Sequence, residues 1–212
     1  MTAAALKRWW PDVPCVTSSA HAREGTFGEE RMAMHMAAST KQWTLAELHS
    51  LPDDGNKYEL IDGELYVTPP PNPEHETILA RLSRILEPYV ARHGLGLVYH
   101  PRSVLRVGGS EVEPDLMVRR PASRERARWE DMPSPSLVVE TFSPYTRRRD
   151  AGAKYDFYAR NNIAEYWMID PEQRTITVAR RGTEDLIVRD AFAWHPAGAS
   201  EPLTIECEQL FG

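Results

Sequence analysis

Two carboxylates stand at the ends of apolar runs. Asp115 follows a proline in "EVEPDLMVRR", just ahead of Leu116, Met117 and Val118, and Glu140 ends the run Leu137, Val138, Val139 in "SLVVETF". A strand as apolar as the second reads as buried on both faces, so an ionised Glu140 at its end needs a positive partner. If the two strands are neighbours, both carboxylates meet at one edge of the sheet. Such a pair suits Mg²⁺, which takes oxygen ligands in an octahedral shell, commonly one or two carboxylates with water and phosphate oxygens. Each residue also has a plain reading, Asp115 as a strand stop and Glu140 as a helix cap or an arginine's partner. Arg147, Arg148 and Arg149 open the helical pattern after Glu140, where they are expected to position phosphates of a nucleic acid. A second group, Arg119, Arg120, Arg124, Arg126 and Arg128, lies between the two strands. For either group a solvated charged surface is the simpler alternative.

The elements that must position these residues are legible in outline. The chain has 212 residues, 42% hydrophobic and 26% charged, which suits one soluble globular domain with an attached segment. Its net charge of −6 argues against coating nucleic acid with bulk positive charge and leaves room for a local basic groove. No run approaches the roughly 20 apolar residues of a membrane span, and "MTAAALKRWWPD" lacks the roughly 7–15-residue apolar region of a secretory signal. A cytoplasmic protein is expected. Cys15 and Cys207 have neither metal-binding nor disulfide spacing and read as free thiols. Residues 1–40 have no sustained period and read as a disordered extension, leaving residues 41–212 as the folded domain.

Within that domain Thr44 is placed to cap a short helix ending before Pro52. Asp62-Gly63 joins residues 58–61 and 64–68 as a hairpin. From Glu74, apolar residues at Ile78, Leu79, Leu82, Ile85, Leu86, Tyr89 and Val90 mark a long helix, with a kink expected at Pro88 and Gly94 as its C-terminal cap. Three strands follow: "LGLVYHPRSVLRV" with a bend at Pro101, "PDLMVR", and "SLVVETF". Then come a helix over "TRRRDAGAKYDFYARNN", a strand in "AEYWMIDP", and sheet additions in "TITVAR", "DLIVRD" and "LTIECEQLF". This order predicts a mixed α/β core, its sheet covered on both faces. Tyr158, Tyr166 and Trp167 read as core packing rather than as stacking platforms for bases.

The stretches "YELIDGEL", "PNPEHETILARLSRIL", "VEPDLMV" and "LVVETFSPYTRRRDAGAKYDFYARNNIAEYWMID" together resemble the Uma-two family, bacterial proteins whose fold is similar to the restriction endonucleases of the PD-(D/E)XK nuclease superfamily. The resemblance covers residues 43–211, and the block from Ser136 to Asp170 is its most specific part. It implies a restriction endonuclease-like mixed sheet flanked by helices, with an N-terminal β-hairpin and C-terminal β additions. It implies Asp115 and Glu140 as the two carboxylates, holding Mg²⁺ or Mn²⁺. The superfamily's lysine, two residues after the glutamate, is Phe142 here, and the family's migrated lysine matches Lys154. The plain reading of Lys154 is an i,i+4 ion pair with Asp150. Glu59 and His75 match recurrent family positions. Glu59 is then an accessory carboxylate or a strut of the hairpin, and His75 a phosphate contact or a helix-starting residue. The activity implied is metal-dependent endonuclease hydrolysis of phosphodiesters, in DNA by superfamily analogy, with a homodimer supplying one site per strand. The alternatives are a catalytically inactive nucleic-acid-binding module and an oligomer-forming protein of the same fold.

Overall fold

A computed structural model describes residues 41–123, 127–143 and 146–212. The extension over residues 1–40, with Cys15, and the arginines Arg124 and Arg126 lie outside the described residues. Helix α1 (Leu45–Leu48) starts with a capping box, in which Thr44 Oγ1 accepts from the Glu47 N–H and the Glu47 carboxylate accepts from the Thr44 N–H. Strands β1 (Lys57–Ile61) and β2 (Glu64–Thr68) form the expected hairpin, because Asp62 and Gly63 adopt φ of 52° and 82° and so match the twist of the flanking strands. Helix α2 (Pro73–Arg92) is capped by Asn72, runs through Pro88 without ending, and is followed by Gly94 at φ 60°.

Between α2 and residue 147 the described residues make five strands where three were expected: β3 (Leu97–Tyr99), β4 (Leu105–Val107), β5 (Ser110–Val112), β6 (Leu116–Arg119) and β7 (Leu137–Thr141). The turn at Pro101 and Arg102, with Arg102 at φ 68°, does more than bend one strand: it sends β3 and β4 into different sheets. Gly108 and Gly109, both at positive φ, then fold β4 back onto β5. The helix over residues 147–160 has three parts, α3 (Arg147–Arg149), a π-helical stretch (Asp150–Lys154) and α4 (Tyr155–Arg160). The chain ends with β8 (Glu165–Asp170), β9 (Thr175–Arg180), β10 (Leu186–Val188), β11 (Ala191–Trp194), β12 (Leu203–Glu206) and α5 (Cys207–Phe211).

These strands make a four-stranded sheet, β2-β1-β5-β4, a six-stranded sheet, β10-β9-β8-β7-β6-β3, and the β11-β12 ribbon. Among the described residues only β7 and β8 pair in parallel, and the helical segment 147–160 is their crossover. One face of the large sheet buries Leu116, Val118, Leu137, Val139 and Trp167 against α2, while the other buries Met117, Val138, Phe142, Tyr158 and Tyr166 together with Ile61, Leu105 and Val112 of the smaller sheet. The central strands are therefore apolar on both sides, and their polar ends are where chemistry can sit.

Gly96 lets β3 pair with β6. Its φ is 120°, and an added Cβ would lie 2.4 Å from the Arg119 carbonyl oxygen, an atom of backbone that cannot swing away. Gly96→Ala is expected to cost roughly 2–4 kcal/mol, lowering the melting temperature by about 5–15 °C. An unchanged melt would show that this close approach does not hold the sheet edge.

Candidate active site

Asp115 and Glu140 come together because β6 and β7 are antiparallel neighbours. Leu116 lies opposite Val139, so one further step sets Asp115 opposite Glu140, with both side chains on one face. That face also carries Val138 and Phe142, the neighbours of Glu140 at period two. Glu140 is 1% exposed and Asp115 5%. Burying two carboxylates this deeply demands hydrogen bonds and opposite charge, and the surrounding elements supply both.

The expected partner arrives from the crossover helix. Lys154 Nζ lies 2.6 Å from Glu140 Oε1 and 2.8 Å from Glu59 Oε1, whereas Asp150, its i,i+4 neighbour, is 3.8 Å away. The plain ion pair is thus the weakest of the three contacts. Tyr158 adds a hydrogen bond from its hydroxyl to Glu140 Oε1 at 2.8 Å. A π-helical stretch closes on i→i+5 bonds and brings residues five apart toward one side, so Arg149 and Lys154 both turn inward. Arg149 Nη1 then pairs with Glu59 Oε2 at 3.1 Å and Arg149 Nε with Asp150 Oδ1 at 3.1 Å.

Asp115 is held from three other directions. The Thr141 N–H donates to its Oδ2 at 2.8 Å, His75 Nε2 meets the same oxygen at 2.9 Å, and Lys57 Nζ lies 3.2 Å from Oδ1 while also donating to the Glu113 carbonyl. His75 stands in the first turn of α2, and Lys57 and Glu59 share one face of β1. Glu59 also accepts from the Glu113 N–H at 2.9 Å, so it braces the hairpin sheet as well as facing Lys154.

The electrostatics separate the two strand-end carboxylates. Burial alone would raise Asp115, but the ammonium of Lys57 and the His75 ring outweigh it and hold Asp115 far below the usual carboxylate range. Glu59 is likewise buried, and the charges of Lys154, Lys57 and Arg149 bring it down to about 2. Glu140 goes the other way: burial, reinforced by the charge of Asp115, outweighs Lys154 and pushes it up to about 7. For Lys57, desolvation is overcome by Asp115, Glu59 and Glu140, which hold its ammonium above the ordinary lysine value. His75 is pulled down by burial and raised overall by its hydrogen bond to Asp115.

Four buried carboxylates, Glu59, Asp115, Glu140 and Asp150, thus face Lys57, Arg149, Lys154 and His75. The oxygen donors of Asp115 and Glu140 suit a hard divalent cation in kind. Among the described residues no group of three or more His, Cys, Asp or Glu side chains is gathered to hold one ion. A site here would rest on two carboxylates plus water and phosphate oxygens, which is the habit of Mg²⁺.

The three consecutive arginines have different surroundings. Arg149 is buried against Glu59 and Asp150, and Arg147 pairs with Asp170 and Glu172. Arg148 alone of the three is exposed. In the second cluster Arg119 is also buried, donating to the carbonyls of Pro133 and Val104. Sequence reasoning missed Lys57, gave Asp150 only as an ion-pair partner of Lys154, and read Tyr158 as core packing. For Lys57 a signal existed, since period-two alternation puts it on the face of Glu59.

Residues 45–206 match the Uma2 family, described as "putative restriction endonuclease". A solved structure described as "a putative nuclease belonging to DUF820", from Anabaena variabilis, is similar in fold, with a TM-score of 0.68 at 22% identity over 80% of this chain and 97% of that one. No curated protein matches the sequence.

Proposed function

The chain belongs to the Uma2 family, described as "putative restriction endonuclease", and from that premise we propose that it is a metal-dependent nuclease that hydrolyses phosphodiester bonds in DNA. The observation that carries this reading is the opposition of Asp115 and Glu140 across β6 and β7, with Lys154 2.6 Å from Glu140. Asp115 and Glu140 would hold Mg²⁺ or Mn²⁺, and the ion, when bound, supplies Lewis-acid polarisation of the phosphodiester and acidifies a water. Lys154 offsets part of the burial of Glu140, and Tyr158 fixes which oxygen faces the helix. Lys154 bridges Glu140 and Glu59, with Asp150 at longer range, and so ties the strand-end carboxylate to the hairpin. His75 and the Thr141 N–H fix the orientation of Asp115. Glu59 is a positioning residue here, holding Lys154 and Arg149 rather than facing substrate. A homodimer with two such sites is the arrangement that double-strand cleavage calls for.

The test is cleavage of supercoiled plasmid by the full chain with Mg²⁺ or Mn²⁺, with and without chelator. Metal-independent nicking that persists in an Asp115→Asn, Glu140→Gln double variant would sink the reading. A second reading, a catalytically silent nucleic-acid-binding module, is favoured by one observation: both oxygens of Asp115 are already engaged by protein donors. Calorimetry showing DNA binding but no Mg²⁺ binding selects it.

Nucleic-acid contact divides the arginines. Arg148→Ala is expected to reduce the slope of log affinity against log salt by about 1, as one phosphate contact is lost. Arg149→Ala should instead lower the melting temperature, because it leaves Glu59 and Asp150 short of a buried cation. Equal slopes for wild type and Arg148→Ala would remove Arg148 from the interface.

A further inference from the structure

The chain contains four lysines against twenty-one arginines. Two of the four, Lys57 and Lys154, lie in the carboxylate cluster. Cations elsewhere are overwhelmingly guanidinium groups, whose planar fork clamps a carboxylate at two points. Lysine presents a compact charge on a flexible stem, and a point charge can withdraw. The two lysines differ in their freedom to do so. Lys154 has a fully buried side chain gripped by Glu140 and Glu59, while the side chain of Lys57 is 20% exposed and Nζ holds Asp115 Oδ1 at 3.2 Å.

A divalent ion on Asp115 and Glu140 would add two positive charges where every carboxylate already has a cation within 3.2 Å. It also needs an oxygen of Asp115, and Oδ2 is fixed by the backbone N–H of Thr141 and by His75 on α2. Oδ1 is the atom that can be released, and Lys57 the cation with a way out to solvent. We infer that Lys57 is the resident counter-ion of Asp115, displaced from Oδ1 when the metal binds. This rests on the metal-dependent reading above and adds a lysine to it. Lys57 keeps Asp115 ionised and correctly aimed, and sets a threshold that the ion must exceed.

The experiment is calorimetric titration of the full chain with Mg²⁺ alone, for wild type, Lys57→Met and Lys57→Arg. Selective ¹³C labelling of the four lysines makes the Lys57 ε-methylene separately visible, its signal assigned by its loss in Lys57→Arg. Lys57→Met should bind Mg²⁺ about tenfold more tightly, a modest share of what one charge at this distance can contribute. Lys57→Arg, whose fork is harder to displace, should bind more weakly than wild type. In the wild type the Lys57 signal should move with the same Mg²⁺ midpoint as the heat, and both should vanish in Asp115→Asn. Weaker or equal binding by Lys57→Met, or a Lys57 signal unmoved at saturating Mg²⁺, overturns the inference and leaves the nuclease reading intact. No Mg²⁺ binding in the wild type overturns both together. The wild-type signal does not depend on Lys57→Met, so a poorly folding Lys57→Met leaves the question decidable.

Discussion

Replacing Asp115 by asparagine or Glu140 by glutamine is expected to abolish metal-dependent hydrolysis while the protein remains folded. Each change removes an anionic oxygen ligand but keeps the shape of the side chain, so the packing of β6 on β7 is preserved. The two should differ in stability. Asp115 is held far below the usual carboxylate range by Lys57 and His75, so Asp115→Asn strips two cations of their partner and should lower the melting temperature. Glu140 is pushed upward by burial and by Asp115, so Glu140→Gln relieves repulsion and should cost little. Calorimetry, cleavage assays and thermal melts separate these effects. Unchanged Mg²⁺ affinity in both variants would remove these residues from the proposed metal site.

What could be read beforehand follows from how local each signal is. The β1–β2 hairpin was legible because Asp62-Gly63 is a two-residue turn signal, and α2 because its apolar positions keep one period from Ile78 to Val90. Asp115 and Glu140 stood out as charges at the ends of apolar runs. The split of β3 from β4 was hidden because Arg102, an ordinary residue by type, takes the positive φ of the turn. The arginine triplet reads as a unit in the sequence and is divided in the fold for a geometric reason. Successive helical residues point in different directions, so three identical neighbours enter three environments: Asp170, solvent, and the Glu59 carboxylate. The π-helical stretch has no composition of its own, and without it the inward turn of both Arg149 and Lys154 could not be foreseen. Phe142 was conspicuous as a missing lysine, but only the fold explains it: the ring fills the apolar cluster beside Val138 and Tyr158.

Loss of Lys154 should be the most damaging single change in the site, for stability and activity together. Its ammonium is the cation nearest to both Glu59 and Glu140, at 2.8 and 2.6 Å, and all three side chains are at most 1% exposed. Breaking a buried pair from one side strands the remaining charge, at a cost of about 3–5 kcal/mol, so Lys154→Ala should melt roughly 10 °C lower. Cleavage should fall by about 10²–10³-fold, the scale for one preorganised charge. Stability and catalysis are separated by a second change. Lys154→Met with Glu140→Gln removes the Lys154–Glu140 pair from both sides and should recover part of the melting loss, the rest staying with Glu59, while activity stays absent. Restoring the superfamily spacing with Phe142→Lys in the Lys154→Ala background should not rescue cleavage, since it puts an ammonium where Phe142 packs at 8% exposure. A Lys154→Ala protein that melts and cleaves like the wild type would deny Lys154 its place in the site, and with it the account of why a glutamate ends that apolar strand.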